Sequence, residues 1–274
     1  RARMSAPWVA LGSLKAGGKS LEYACFGPSP NEAATLVLLH EGLGCIALWR
    51  EFPQALAEAT GLGVFVYSRA GYGQSDPADL PRPLNYMTHE ATGVLGEVLD
   101  AVAIRSAVLV GHSDGATIAA IYAGSVPDYR VRAIALMAPH FFTEDMGLAE
   151  IAKAKIAYET GDLRAGLAKY HKNPDNAFRG WNDAWLHPDF KNWNVADVID
   201  HLRIPSLAIQ GQSDQYGTLA QIEEIETRAY SPVETLILEK CRHAPFLDQP
   251  VVVTNAIAEF CTRLFALENA GSAP

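Results

Sequence analysis

Residues 107–115 read Ala107-Val108-Leu109-Val110-Gly111-His112-Ser113-Asp114-Gly115: an apolar run that ends in two glycines bracketing a serine. A continuous apolar run of this length is expected of a strand covered on both faces. The next residues, Ala116-Thr117-Ile118-Ala119-Ala120, suit a buried helix. Strand, sharp turn and helix in that order lift Ser113 to the C-terminal edge of a sheet, with the N–H groups of the new helix aimed at it. Side chains at 111 and 115 would collide with the neighbouring strand and helix, which is the mechanical reason for two glycines. The alternative reading is a glycine-bracketed turn without chemistry.

Outward from this stretch, short apolar runs alternate with helical patterns. Leu21, Tyr23 and Cys25 alternate as in an early strand; 35–39, 64–67, 133–137, 206–209 and 235–238 are further strand candidates. Met87, Ala91, Leu95, Val98 and Val102 fall on one helical face, and in the last helix Ile257, Cys261 and Phe265 repeat at four-residue spacing, as do Ala256, Phe260 and Leu264. Strand–helix alternation predicts an α/β fold, a doubly wound and mostly parallel sheet with helices on both faces. Such sheets bind ligands at the carboxyl ends of their strands.

The chain has 274 residues, 49% of them hydrophobic, enough for one large core. A net charge of −9 argues against a nucleic-acid or anionic-membrane surface. No apolar stretch is expected to approach the roughly 20 residues that span a bilayer. The start, Arg1-Ala2-Arg3-Met4-Ser5, is basic without an apolar segment behind it and does not read as a signal peptide. Cys25, Cys45, Cys241 and Cys261 match no zinc spacing and read as free thiols in a reducing cytoplasm. The small-residue tail Asn269–Pro274 is expected to fray.

More than 60 residues separate the strands near Met137 and Ser206, too many for a simple connection. This segment has helical patterns at 147–159 and 162–170 and holds three of the five tryptophans. We read 141–204 as a helical cap over the active edge of a core domain made of 1–140 and 205–274. Most of its rings are expected to pack cap against core. Phe141, Trp181 and Trp185, with Tyr216 outside the cap, are the candidates for an apolar acyl pocket.

A serine hydroxyl needs a base. Of eight histidines only His243 follows the last strand, in the order serine, acid, histidine. The orienting carboxylate is Asp214, at the end of the strand–turn Ala208–Asp214; it also reads as the N-cap of a helix near Thr218. Glu144 or Asp145 is the fallback acid. An oxyanion needs backbone donors. One is the N–H of Asp114. The other belongs to the loop His40-Glu41-Gly42-Leu43-Gly44-Cys45, from Gly42 by position or from Leu43 as the alternative.

Four motifs in this order resemble the α/β-hydrolase fold family: His40-Glu41-Gly42-Leu43-Gly44, the turn Ser68–Asp76, Gly111–Gly115, and the Asp214…His243 pair. The resemblance implies a triad of Ser113, Asp214 and His243, about eight strands with the cap inserted between the sixth and seventh, no cofactor and no metal. It implies a small-molecule acyl substrate and a structural role for Arg69, which ties loops together. The chain looks most like small capped carboxylesterases, enol-lactonases and carbon–carbon hydrolases of aromatic degradation. Three positions depart from the family pattern. Glu41 stands between His40 and Gly42, where it either faces solvent or tunes substrate choice. Asp114 follows the nucleophile, where an acid suits the helix dipole and would also repel anionic substrates. Ala116 replaces a glycine common in carbon–carbon hydrolases. A serine hydrolase of esters or lactones is the first reading; a carbon–carbon hydrolase and a non-catalytic binding member are its rivals.

Overall fold

The computed structural model describes residues 4–271; Arg1–Arg3 and Ser272–Pro274, which carry part of the readings at both termini, lie outside the described residues. Eight strands form one sheet: β1 (Gly12–Ala16), β2 (Lys19–Phe26), β3 (Thr35–Leu39), β4 (Gly63–Tyr67), β5 (Ala107–His112), β6 (Val131–Met137), β7 (Ser206–Gly211) and β8 (Val233–Leu238). Their spatial order is β1-β2-β4-β3-β5-β6-β7-β8. The pairs β1–β2 and β2–β4 are antiparallel, and every other pair is parallel.

The helices are α1 (Phe52–Thr60), α2 (Tyr86–His89), α3 (Gly96–Ala101), α4 (Asp114–Ser125), α5 (Asp145–Thr160), α6 (Leu163–Ala168), α7 (Pro174–Trp185), α8 (Ala220–Arg228), α9 (Pro245–Asp248) and α10 (Pro250–Gly271). A π-helical stretch, Glu90–Leu95, joins α2 to α3. The two faces of the sheet bury alternate residues of the same strands. Leu36, Val64, Val108 and Ile209 pack with Leu56 of α1 and Ile257 and Phe260 of α10. Val37, Phe65, Leu109 and Ala208 pack with Met87, Leu95, Val98 and Ile118 on the opposite face. This two-sided burial explains why the central strands are apolar runs without alternation.

The chain leaves β3 toward β4 on one side, then crosses to β5 on the other. The loops after β3 and β5 therefore splay apart at a topological switch point, where α/β sheets bind ligands. The register pairs Leu39 with Gly111, so the His40 loop and the Ser113 turn start side by side.

Between β6 and β7 lie α5, α6, α7 and two 3₁₀ turns, Pro188–Asn192 and Ala196–His201. A bridge between Phe142 and Asn194 joins the two ends of this insertion. Pro174 at its first turn and the Asn173 side chain accepting from Asn176 N start α7, which buries Ala177, Phe178, Trp181, Ala184 and Trp185 on one face.

Two expectations need correction. The helix α10 runs through Gly271, so the expected fraying does not begin at Asn269. It is also long and apolar enough to cross a membrane, with a mean hydropathy of 1.3 in its most apolar window, contrary to the expectation that no segment is. It lays Val253, Ile257, Phe260, Cys261 and Leu264 on the core.

Candidate active site

The strand β5 ends at His112, and Ser113 takes φ 53° and ψ −118° before α4 begins. That region crowds an L side chain and needs outside support. The Ser113 N–H donates to Met137 O at 2.9 Å. A Cβ on Gly111 would strike the backbone of Gly115 and Ala116, and one on Gly115 would strike the carbonyls of Leu39 and His40. Glycine at both positions lets α4 start in contact with the end of β3.

His243 lies between β8 and α9. Its Nε2 is 2.9 Å from Ser113 Oγ, and its Nδ1 is 2.9 Å from Asp214 Oδ2 and 3.0 Å from Oδ1. With Nδ1–H donating to the carboxylate, Nε2 is the acceptor for the serine hydroxyl. Ser113, Asp214 and His243 are 6%, 6% and 8% exposed, so water does not compete for these bonds. Asp214 also accepts from Tyr216 N at 2.8 Å and Gly217 N at 3.3 Å. Burial pushes its carboxyl up, but the His243 hydrogen bond and charge and the Tyr216 N–H hold it below the usual value. His112 donates from Nε2 to His243 O at 2.7 Å and fixes the loop that carries the imidazole. Asp214 caps no helix: α8 begins at Ala220. The fallback acid Glu144 is spent on Thr218 N, Thr218 Oγ1 and Gln221 Nε2, and Asp145 opens α5.

The His40 loop is held from three sides. Arg69 donates from Nη1 to His40 O at 2.6 Å and from Nη2 to Glu41 O at 3.2 Å, the loop-tying role expected of it. His40 accepts from Arg69 N at Nε2, 3.0 Å, and donates from Nδ1 to Glu41 O, 2.6 Å. From the insertion, His171 accepts from Gly73 N at 2.8 Å and donates to Leu43 O at 2.9 Å. Among the described residues the N–H groups of Gly42, Leu43 and Asp114 are bonded to no protein acceptor. Free donors on a rigid loop and at a helix N-terminus are what an oxyanion requires; both Gly42 and Leu43 retain a free N–H.

A cavity of about 30 Å³ opens on Ser113 and His243. Hollows of about 580 and 460 Å³ lie elsewhere on the surface, away from these groups. Trp181 and Trp185 of α7, Ile151 of α5, Tyr216 and Leu43 form its apolar wall. Trp181 lies against Gly42, where a Cβ would meet the indole ring. The Tyr216 ring packs 4.7 Å from the His243 ring. Of the four pocket candidates, Trp181, Trp185 and Tyr216 line the cavity; Phe141 does not. Its ring is wholly buried in the core, and the next residue back, His140, turns to the cavity instead.

The remaining lining is polar. His140 lies 5.7 Å, ring to ring, from His243; burial first, then the His243 charge, lowers it to about 3, so it is a neutral imidazole. The sequence reading passed over it; the signal was its place just past the C-terminal end of β6. Glu41 lines the cavity, which decides against a purely solvent-facing loop residue. Asp114, 1% exposed, is likewise no ordinary first-turn acid. Tyr86 donates to its Oδ2, and Trp185 Nε1 donates to that Tyr86 hydroxyl at 3.0 Å, so a hydrogen-bond chain links α7 to the residue after Ser113. Burial pushes both carboxyls up, Glu41 against the charges of His243 and Arg69, and Asp114 against the Tyr86 bond and Arg69. Tyr72 lies outside the cavity, packed on His40 and Arg69. All four cysteines are free and buried; burial raises the Cys45 and Cys241 thiols to about 11, which leaves both neutral and poorly nucleophilic.

Fold and site together define a class: an α/β protein with a serine lifted from a strand–helix turn onto a histidine–aspartate pair. This is the α/β-hydrolase fold, and residues 34–154 match the family model described by that name. No curated protein matches the sequence. Solved structures match over most of the chain at low identity. An enol-lactonase from Burkholderia xenovorans is 19% identical, with a TM-score of 0.71 over 92% of this chain and 100% of that one. A meta-cleavage product hydrolase from Pseudomonas fluorescens is 21% identical, with a TM-score of 0.69 over 93% of this chain and 98% of that one. A proline iminopeptidase from Mycobacterium smegmatis is 18% identical, with a TM-score of 0.72 over 93% and 98%. These likenesses show the fold.

Proposed function

We propose that this chain is a serine hydrolase of small acyl esters or lactones, with Ser113 as nucleophile, His243 as general base and acid, and Asp214 as the group that orients the imidazole. One observation carries the reading: Ser113 Oγ, held in a strained turn, stands 2.9 Å from a His243 nitrogen whose opposite nitrogen is 2.9 Å from Asp214.

As Ser113 Oγ attacks the substrate carbonyl, its proton passes to His243 Nε2, and Asp214 stabilises the resulting imidazolium. The carbonyl oxygen becomes an oxyanion that accepts from Asp114 N–H and from Gly42 or Leu43 N–H. The tetrahedral adduct collapses, His243 returns the proton to the leaving alcohol, and an acyl-serine remains. Water then attacks that ester with His243 again taking the proton, and the acid leaves. The insertion acts as a cap: Trp181 and Trp185 close over the reacting carbonyl and exclude bulk water. The small cavity matches a small acyl group and requires α7 to move for anything larger.

Cleavage of a carbon–carbon bond would use the same serine and histidine. Its ring-fission substrates are anionic, and Glu41 and Asp114 line the cavity, which favours the ester or lactone reading. A fluorophosphonate probe tests the proposal. Wild-type protein is expected to be labelled at Ser113 and to hydrolyse p-nitrophenyl acetate; Ser113→Ala is expected to remain folded and to lose both. An unlabelled, inactive wild type would refute the reading in favour of a binding member of the fold.

A further inference from the structure

The cavity joins two features that are not needed for ester hydrolysis itself. The first is charge. Glu41 and Asp114 both line it, and no lysine or arginine does. Each carboxylate is placed at the oxyanion donors: Glu41 directly precedes Gly42, and Asp114 carries a donor on its own backbone. Among the described residues no donor is hydrogen-bonded to the Glu41 carboxylate. Asp114 is 1% exposed and receives a hydrogen bond at Oδ2 alone. The nearby cations Arg69 and Arg82 donate to backbone carbonyls, Arg69 to those of His40 and Glu41 and Arg82 to that of Ala70, and neither donates to these carboxylates. The second feature is the wall: Trp181, Trp185 and Tyr216 present aromatic rings to the same space.

An unpaired carboxylate in a confined space is unfavourable by itself, and near a developing oxyanion it opposes the reaction. A cationic group on the substrate removes both penalties. Carboxylates backed by tryptophan and tyrosine rings form the composition that holds ammonium groups, by charge and by attraction to the ring faces.

We propose that this cavity selects an acyl substrate that carries a cationic nitrogen close to the scissile carbonyl, with Glu41 and Asp114 as its counter-charges and Trp181, Trp185 and Tyr216 as its aromatic wall. The inference rests on the hydrolase reading above. It assigns Glu41 a specificity role, and it extends the case against anionic substrates to a preference for positive ones. The bond hydrolysed and the fate of its atoms are unchanged.

The test uses matched pairs of p-nitrophenyl esters that differ only in charge. One pair is the trimethylammonioacetyl ester and its carbon isostere, the 3,3-dimethylbutyryl ester. The other is the aminoacetyl ester and the propionyl ester. For each pair the ratio of kcat/KM, cationic over neutral, is divided by the ratio of hydroxide-catalysed rates, which removes intrinsic reactivity. We expect the corrected ratio to exceed about tenfold for wild type in at least one pair, as a desolvated cation–π and ion-pair contact implies. Preference in the first pair alone identifies a quaternary nitrogen, and in the second a hydrogen-bonded primary ammonium; either supports the proposal. Glu41→Gln should lower the ratio by about tenfold, chiefly through KM, and Asp114→Asn should lower it as well. Because both esters of a pair meet the same enzyme sample, a partly unfolded variant leaves the ratio unaffected. A wild-type ratio near one in both pairs, or a ratio unmoved by either substitution, overturns the inference while the hydrolase stands. Failure of all four esters together with an unlabelled Ser113 removes the hydrolase reading, and this inference with it.

Discussion

Ser113 at φ 53° lies where a side chain crowds its own backbone, and the turn persists because its neighbours leave no other path. Gly115 is the tightest of them, facing the carbonyls of Leu39 and His40. Since those atoms are backbone, the chain must part to admit a methyl group. Gly115→Ala is expected to cost about 3 kcal/mol or more of folding stability, read from denaturant midpoints, and to reduce soluble yield. Asp214→Asn keeps the shape but offers His243 Nδ1 an amide that favours the wrong tautomer. Turnover of p-nitrophenyl acetate should fall by about 10³–10⁴-fold with the melting temperature nearly unchanged. These positions were legible because their chemistry fixes chain order and spacing. The orientations of Phe141, His140 and Glu41 were not. Phe141 and His140 are adjacent in sequence where the insertion begins, and only the direction in which the chain leaves β6 decides which one reaches the cavity. Glu41 turns inward because Arg69 and His171 hold the loop, contacts made across 28 residues for Arg69 and, from Leu43, 128 for His171.

The central strands were legible as apolar runs because both faces of the sheet are covered. The edge strand β1 was not, since only Leu14 and Ala16 of its five residues are buried and the alternation is too short to register. A signal did exist: Gly17 and Gly18, at φ 56° and 71°, form the two-residue turn that pairs β1 with β2. The insertion was readable as a long helical segment, but its docking was not. It attaches through polar contacts that leave no periodic trace: Asn176 to both backbone groups of Ala78, and His171 to Gly73 N and Leu43 O. Within it α7 sets the size of the cavity, because Trp181 is held between Gly42 and the ring of Phe178, with ring centroids 5.8 Å apart in the latter pair. Trp181→Ala removes that wall. We expect kcat/KM for hexanoyl over acetyl esters to rise by about tenfold as one longer chain segment gains room, at a cost of about 3 kcal/mol in stability. A p-nitrophenyl chain-length series and a thermal melt measure the two. An unchanged chain-length profile would place the size limit elsewhere.

Besides His243, the molecule as a whole buries four imidazoles around the site, His40, His112, His140 and His171, and burial lowers the pKa of each. His40, His112 and His140 are 2%, 3% and 5% exposed. Burial holds His40 well below its ordinary value of 6.5, helped by Arg69, and holds His112 and His140 at about 3, helped by the His243 charge. Each takes up a proton near its ordinary value once the chain unfolds. Between that value and the folded one, the unfolded state binds more protons, so stability rises with pH. It is fully present above 6.5 and is lost as the pH falls toward 3. The half-buried carboxyl of Glu41 and the buried carboxyls of Glu90 and Asp114, raised by desolvation, act with the opposite sign over part of this range. A comparison of wild type with a single variant cancels them. His112→Gln keeps a side-chain N–H for His243 O and removes one titrating group. Over about 1.5 pH units below the ordinary histidine value, one proton is worth about 2 kcal/mol. Urea unfolding at about pH 7.5 and about pH 5 should therefore show a stability gap about 2 kcal/mol narrower in the variant than in wild type. An equal gap in the two proteins would mean that His112 is already protonated in the fold, and that its ring faces water or a carboxylate instead of the closed apolar layer formed by Trp49 and Phe246, whose rings lie 6.4 and 5.3 Å from it.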